Sequence, residues 1–428
     1  MIKRFVLIFV LLITIPVYAQ DPGDLFDSIH VVVNPSGKAL DPIAIFMPAC
    51  IKGLKTACKR ATDLLTHDMK ISGVFKVLDP KSFIVNPANE SLEKTNWTAW
   101  VSVGARYIIK GRLTGTAKKT SLDLRLYNVV SKAEIPVHWV HATKGKNRLY
   151  KAVTSFANGV ILALTGSSGL FDSTIYYSIK ESGFKRIIGS INMDGTHRRV
   201  LVSNKSSNMF PAIGPGGRLL YTSFLPDIPS LFLGRHRLTR DKYQYRSAEY
   251  CARAGLIAAS VDMGGGQSDI VLINPKTGRI KKNLTKSAAD EISPSWSPDC
   301  KKIAYVSNRT GTLQIYVTGI NGKGTKRLTM LGTYNTSPAF GKDGVILFSG
   351  MDEFVYDIFK VDMDRHITRL TQRQGSNKNP EWSPDYRYVV FVSNRSRGWN
   401  LYVSTPDGRY QFPVTKDGAR YATPAWVK

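Results

Sequence analysis

Residues 295–311 read SWSPDCKKIAYVSNRTG, and 86 residues further on the chain writes EWSPDYRYVVFVSNRSRG from Glu381. Self-similarity at a fixed period restricts a fold more than any other sequence feature. With the apolar strand of that phrase as a ruler, equivalent positions fall at Tyr177, Tyr221, Ala258, Tyr305, Phe348 and Phe391, separated by 44, 37, 47, 43 and 43 residues. A Pro-x-apolar ruler keeps the same step at Pro211-Ala212-Ile213, Pro294-Ser295-Trp296, Pro338-Ala339-Phe340, Pro380-Glu381-Trp382 and Pro424-Ala425-Trp426. So does a Leu-Thr ruler, at Leu284, Leu328, Leu370 and, as Val-Thr, Val414.

A period near 43 suits paired-helix repeats or the four-stranded blade of a propeller. The content of each unit decides. KKIAYVSN, GVILFSG and RYVVFVSN are short, β-branched and aromatic, and turn clusters separate them from second strands such as LQIYVTGI, YDIFKVD and NLYVST. No unit carries a helical apolar stripe ten residues long. Apolar residues occupy both faces of IAYVS and YVVFV, as a sheet covered on both sides requires. The last unit stops just after its Pro-x-Trp strand, and the first, from Phe171, lacks that strand. The two halves complete one blade, so the sequence predicts an all-β propeller of six blades over 170–428, closed by the C-terminal strand, which removes an exposed sheet edge.

The front of the chain differs. MIKRFVLIFVLLITIPVYA joins Lys3 and Arg4 to an apolar run ended by Pro16 and Ala19, an export signal over 1–19. The uncharged run falls short of the roughly 20 residues needed to cross a bilayer. A short extension, 20–28, precedes a mixed α/β domain over 29–165. There IHVVVNP, IAIFMP, FKVLDP, ARYIIKGRL, SLDLRLYNVV and EIPVHWVHA read as strands, and IKGLKTACKRATDLLTHDMKISG and NRLYKAVTSFANGVILALTG as helices. Without Lys3 and Arg4 the chain holds 57 Lys+Arg against 32 Asp+Glu, a net +25. Export removes nucleic acid as the partner for that charge and leaves an anionic peptidoglycan or lipid surface, an acidic protein, or simply a solvated basic face. Four cysteines suit an oxidising compartment without making a disulfide framework. Cys50 and Cys58 can pair only if Cys50 precedes the helix that carries Cys58, since eight helical residues span about 12 Å. Cys251 with Cys300 ranks behind that pair.

Signatures of chemistry are few. There is no G-x-S-x-G elbow and no room for a hydrolase domain, which argues against a peptidase. His138 and His141, at odd spacing on one strand, face apart and do not share a metal. GGGQSD at 264–269 lacks a Lys and fits a turn between strands. Asp299 and Asp385, in the SPD sequences, cap tight turns. No cofactor or metal is expected.

In a propeller all the innermost strands run the same way along the channel, so the residues before each inner-strand proline form a ring at one mouth. They are SNMF (207–210), YQYR (243–246), DEIS (290–293), YNTS (334–337), SNKN (376–379) and RYAT (420–423), a composition suited to docking by hydrogen bonds around a modest apolar contact. The PxWSPD units closed by a terminal PAW, together with ATDLLTHDMKISGVFKVLDP, GARYIIKGRL and LTGSSGLFDSTIYYSI in order and spacing, resemble the TolB family, the periplasmic component of the Tol-Pal system. The resemblance covers essentially the whole chain after the signal. It implies a non-enzymatic periplasmic adaptor, monomeric on its own, that supports outer-membrane integrity and constriction at division. It implies that the lipoprotein Pal binds at the channel mouth, through Ile292, Ser293, Tyr243 and Arg246 and, by ring symmetry, Met209, Thr336, Asn379 and Thr423. It further implies that TolA binds the N-terminal segment Ile29, His30, Val31, Val32 and Val33. Two departures stand out: QDPGDLFDS at 20–28 is extra, and blade 3 has Ser247 in place of proline beside a basic loop, RHRLTRDKYQYR, which would suit the mouth to a more acidic partner. The rival reading, an envelope propeller enzyme or a carbohydrate-binding lectin, needs carboxylates converging at the mouth, where the sequence offers only Asp290 and Glu291, adjacent and pointing apart.

Overall fold

The computed structural model describes residues 39–427, with 51–52, 86–89, 116–119, 139–146 and 226–227 left out. The expected export signal, the extension and the segment Ile29–Val33 therefore lie outside the described residues.

The first domain is a five-stranded mixed sheet with helices. Strand β1 (Asp41–Cys50) leads through helix α1 (Lys55–Ile71) to β2 (Phe75–Val77), which lies parallel to β1. After the short helix α2 (Trp97–Ser102), β3 (Tyr107–Gly115) joins β1 in parallel, and β4 (Thr120–Asn128) and β5 (Ala133–Ile135) continue the sheet antiparallel. Helix α1 buries Ala61, Leu65 and Met69, and α3 (Arg148–Thr165) buries Val153, Phe156, Ala157 and Val160, each at helical spacing. Gly166, at φ 76°, ends α3 with its N–H on the Leu162 carbonyl, a left-handed cap that glycine adopts without strain. The strand read over EIPVHWVHA is shorter than expected: it ends at Ile135, His138 lies in irregular chain, and His141 is outside the described residues. Pro136 lacks the N–H that would continue the ladder.

Six four-stranded sheets follow. Blade 1 combines Tyr421–Val427 with Thr174–Ser182, Lys185–Asn192 and Arg199–Val202, so the C-terminal strand pairs with the first strand of the ring, Trp426 opposite Ile175. The inner strands of blades 2 to 6 are Asn208–Ile213, Gln244–Cys251, Glu291–Trp296, Asn335–Phe340 and Asn377–Trp382. All six ruler residues from Tyr177 to Phe391 are buried in second strands. The Leu-Thr ruler marks the outer edge, where the hydroxyls of Thr285, Thr329, Thr371 and Thr415 accept from the amides of Ile270, Ile315, Ile358 and Leu401 at 2.9–3.0 Å. Each threonine thus satisfies a third-strand N–H where the short outer strand runs out. Asp299 and Asp385 cap their turns as expected, accepting from the amides of Lys301 and Arg387.

Cys251, ending the inner strand of blade 3, is disulfide-bonded to Cys300 in the turn of blade 4, with Cα atoms 6.2 Å apart. The pair that ranked second from sequence is thus formed, because adjacent blades bring together two residues that are 49 apart in sequence. Cys58 is also disulfide-bonded, while the side chain of Cys50 lies outside the described residues.

The two domains share one apolar core, in which Leu65, Met69, Phe156 and Val160 meet Phe171, Ile175, Tyr388 and Trp426. Tyr388 donates to the Ser72 carbonyl at 2.8 Å, Arg387 donates to the Ser168 carbonyl, and a His67 ring nitrogen lies 3.0 Å from the Asp194 carbonyl. These propeller residues sit in blades 1 and 6 at the end where the inner strands finish. Among the described residues, these contacts of the α/β domain leave the opposite end, where the inner strands begin, uncovered.

Candidate functional site

At that open end every inner strand carries a β-bulge at the same register. Ile292 and Ser295 flank it opposite Val306 and Ala304, so three steps on the inner strand match two on its neighbour. Blades 2, 3, 5, 6 and 1 repeat this between Met209 and Ala212, Tyr245 and Ala248, Thr336 and Ala339, Lys378 and Glu381, and Ala422 and Ala425. Phe210, Ser293, Ser337, Asn379 and Thr423, each just before the inner-strand proline, have φ between 45° and 55°. Proline disfavours the right-handed helical region for the residue before it, the region the extra residue of a bulge ordinarily occupies. Five non-glycine residues are thereby held left-handed in one ring, a local strain that proteins tolerate where the surroundings fix it. Blade 3 tests the explanation. With Ser247 in place of proline the bulge survives, but Arg246 is absent from the left-handed set.

Hydroxyls tie this ring across the blade seams. Ser260 donates to the Glu291 carbonyl at 3.0 Å, the Asn379 amide donates to Ser349 Oγ at 3.0 Å, and Thr222 donates to the Arg246 carbonyl. Within blade 1, Ser178 Oγ lies 2.9 Å from Thr423 Oγ1.

The residues named from sequence separate by strand alternation, since successive side chains point to opposite sides. Ser293, Asn379 and Thr423 line the central channel, a cavity of about 240 Å³, together with Phe210 and Ser337, which were not singled out. Asn379 Nδ2 donates to Ser337 Oγ at 3.0 Å, linking two of them. Ile292 turns away from the channel and packs against the core between blades 4 and 5; Tyr243 does the same against blades 2 and 3. Met209 lines a separate cavity of about 500 Å³ with Phe184 and Phe224, and Thr336 is half-buried. Arg246 is exposed, 4.0 Å from Asp290 of the next blade. Lys378, in register with Ile292, lies 3.8 Å over the ring of Tyr356, and burial pushes its ammonium pKa down. Keeping one register through all six segments would have found Phe210, Ser337 and Lys378.

The basic loop of blade 3 does not concentrate its charge at this mouth. His236, Arg237 and Arg240 line a cavity at the other end of the disc, while Arg246 reaches the ring, so the expectation of a mouth made basic by the whole loop is corrected for those three residues. The physical reason is topological: residues 235–240 still belong to the outer edge of blade 2.

Asp290 and Glu291 do point apart. The Asp290 carboxylate accepts from the Ser268 amide at 2.9 Å, whereas Glu291 is buried and accepts from Ser287 Oγ, Ser307 Oγ and Arg309 Nη2 at 2.6–3.1 Å, a structural anchor. A different pair of carboxyls lines the channel, Glu249 and Glu381. The residue after the inner-strand proline, or after Ser247 in blade 3, is Ala212, Ala248, Ser295, Ala339 or Ala425 in the other blades, small where six strands crowd an axis. Glu381 stands in that position, and Glu249 takes the place of an aromatic or aliphatic residue. Burial lifts the Glu249 carboxyl to about 7, against its hydrogen bond from the Trp296 amide at 2.9 Å. Burial, with the charge of Glu249, lifts Glu381 well above the usual carboxylate range. Among the described residues no three His, Cys, Asp or Glu side chains converge to hold a metal ion, and no helix is long and apolar enough to cross a membrane.

Fold and site together define a class: two-domain propeller proteins whose ring of strained inner-strand starts opens on the face away from an appended α/β domain. Residues 162–428 match the model of the TolB beta propeller domain and residues 29–135 that of the TolB amino-terminal domain. A Tol-Pal system protein TolB of Anaeromyxobacter dehalogenans is 33% identical over 410 residues, 92% of this chain and 92% of its own length. A TolB homolog of Chlorobium luteolum is 26% identical over 294 residues, 67% of this chain and 66% of its own length. The crystal structure of TolB from Acinetobacter baumannii superposes with a TM-score of 0.76 at 20% identity, over 91% of this chain and 97% of the other, and supports the fold. The chain belongs to the TolB family, periplasmic components of the Tol-Pal system.

Proposed function

We propose that this protein is a periplasmic adaptor of the Tol-Pal system, without catalytic activity of its own, that docks the lipoprotein Pal at the channel mouth and TolA through the segment Ile29–Val33. In this reading it occupies Pal and limits its grip on the wall, TolA engagement alters that occupancy, and the outcome supports outer-membrane integrity and constriction at division. The observation that carries the reading is the sixfold ring of bulged inner-strand starts, open on the face that the α/β domain leaves free, in a chain of the TolB family. Such a ring presents preformed hydrogen-bonding groups beside Phe210, and preorganisation lowers the entropic cost of binding. The rival enzyme reading draws on Glu249 and Glu381, but their cavity of about 240 Å³ is smaller than the roughly 300–1,000 Å³ typical of ligand sites.

Crosslinking of the protein in its own envelope, with identification of the captured partner, tests the proposal. Capture of a wall-binding lipoprotein that is lost in Ser293→Arg, at the channel, and in Arg246→Glu, with the melting temperature of both variants unchanged, supports it. Capture that both variants retain rejects the proposed face.

A further inference from the structure

We infer that the cavity between blades 2 and 3, at the end of the propeller opposite the channel mouth, binds a ligand carrying two or more phosphate groups. The cavity measures about 870 Å³, and Arg218, His236, Arg237, Arg240, Lys276 and Arg279 all line it. None of the six takes part in an ion pair among the described residues. One acid shares the lining, Asp241, and its two oxygens are already engaged by the Tyr243 amide at 3.1 Å and the Tyr245 hydroxyl at 2.8 Å.

Like charges gathered in one concavity repel one another, and a cleft with low-dielectric walls focuses their field on an incoming anion. The fold enforces the gathering. Arg237 and Arg240 come from the outer edge of blade 2, Arg218 from its first turn, and Lys276 and Arg279 from the outer turn of blade 3. That turn seats directly on blade 2 because Gly278, at φ 71°, brings its Cα against the Leu238 carbonyl, where an added Cβ would lie 2.0 Å from the oxygen. A side chain at 278 would push the two sets of cations apart.

Four of the six are arginines, whose planar forks match phosphate and carboxylate oxygens in pairs. Each guanidinium offers about five N–H donors and a carboxylate only about four acceptor sites. One or two carboxylates, with two oxygens and one charge each, therefore leave most of the donors unused, while two phosphates, each with up to two charges and three acceptor oxygens, engage more of them and offset more of the charge. The turn amides of Lys276, Thr277 and Gly278 already donate to Asn274, so recognition falls to the side chains.

The test is calorimetric titration of the purified protein with inorganic tripolyphosphate, with citrate as the carboxylate control, and co-sedimentation with phosphatidylcholine vesicles containing phosphatidylglycerol. Tripolyphosphate should bind at low salt, weaken about tenfold in Arg240→Ser and again in Arg279→Ser, and bind at least tenfold more tightly than citrate. Arg246→Glu, at the other end of the disc, should bind as the parent does. Both serine variants replace exposed side chains, and an unchanged circular dichroism melt shows that they fold. Vesicle binding displaced by tripolyphosphate assigns the phosphates to a lipid headgroup, and its absence assigns them to a soluble ligand. Failure to bind tripolyphosphate, equal binding of citrate, or affinity unchanged by both substitutions overturns the inference.

Discussion

Trp426→Ala attacks the seam on which the ring depends. Trp426 sits two residues from the end of the chain, opposite Ile175 in the pairing that joins the last strand to the first blade. The residue is 7% exposed, and its ring lies 6.2 Å from the ring of Tyr388 at 29° and donates Nε1–H to Ser173 Oγ at 2.8 Å. Removing a buried tryptophan side chain costs roughly 3–5 kcal/mol. For a cooperative unit of the propeller's size, roughly 260 residues at about 2.1 cal/mol/K each, the unfolding entropy is about 0.5 kcal/mol/K, so a loss of 4 kcal/mol lowers Tm by about 7 °C. Trp426→Phe keeps most of the apolar area and loses the hydrogen bond, and should cost about 1–2 kcal/mol. The assay is calorimetric melting of parent, both variants and a chain ending at Arg420. Alanine and truncated forms that melt within 2 °C of the parent would refute closure by this strand.

Loss of the disulfide in Cys251→Ser/Cys300→Ser frees a 49-residue separation and should destabilise by about 4 kcal/mol on chain-entropy grounds; urea unfolding measures it, and reductant should cost the double variant less stability than it costs the parent, since the disulfide of Cys58 remains in both. The carboxyls of Glu249 and Glu381 titrate higher in the folded than in the unfolded chain, so the folded form holds extra protons. Their contribution is complete below about 4.5 and declines as pH rises through about 7. Glu381→Gln should therefore raise Tm at pH 8 and flatten its decline from pH 5; a parallel profile would contradict the assignment. Lys110, buried, pairs with buried Glu90 and donates to the carbonyls of Ser91 and Lys94. Lys110→Met should cost about 3–5 kcal/mol by stranding the carboxylate, and Glu90→Gln in the same chain should recover part of it in chemical denaturation.

The blade count, the closing strand and the position of the ring were legible because the inner-strand phrase is spelled with proline and a large apolar residue, which have few structural substitutes. Conformation at the ring was less so. The left-handed φ of Ser293 or Asn379 follows from a conflict between bulge and proline that no propensity reports, and blade 3 shows it by omission. Alternation hid the division of labour between Ile292 and Ser293, neighbours in sequence that face a blade seam and the channel. Glu381 reads as a surface residue inside PEW until its counterparts Ala212, Ser295 and Ala425 are aligned, when the one large charged member stands out. The Cys251–Cys300 bond and the arginine cavity both arise where adjacent blades touch, and contacts between repeats leave no signal within a repeat.

The most direct test of the docking account is hydrogen–deuterium exchange of the protein with and without purified Pal. The account predicts slowed exchange confined to 207–210, 243–246, 290–293, 334–337, 376–379 and 420–423, with the turns at 275–279 and 383–387 unchanged. Protection of those turns instead, with the six starting segments unaffected, would contradict it.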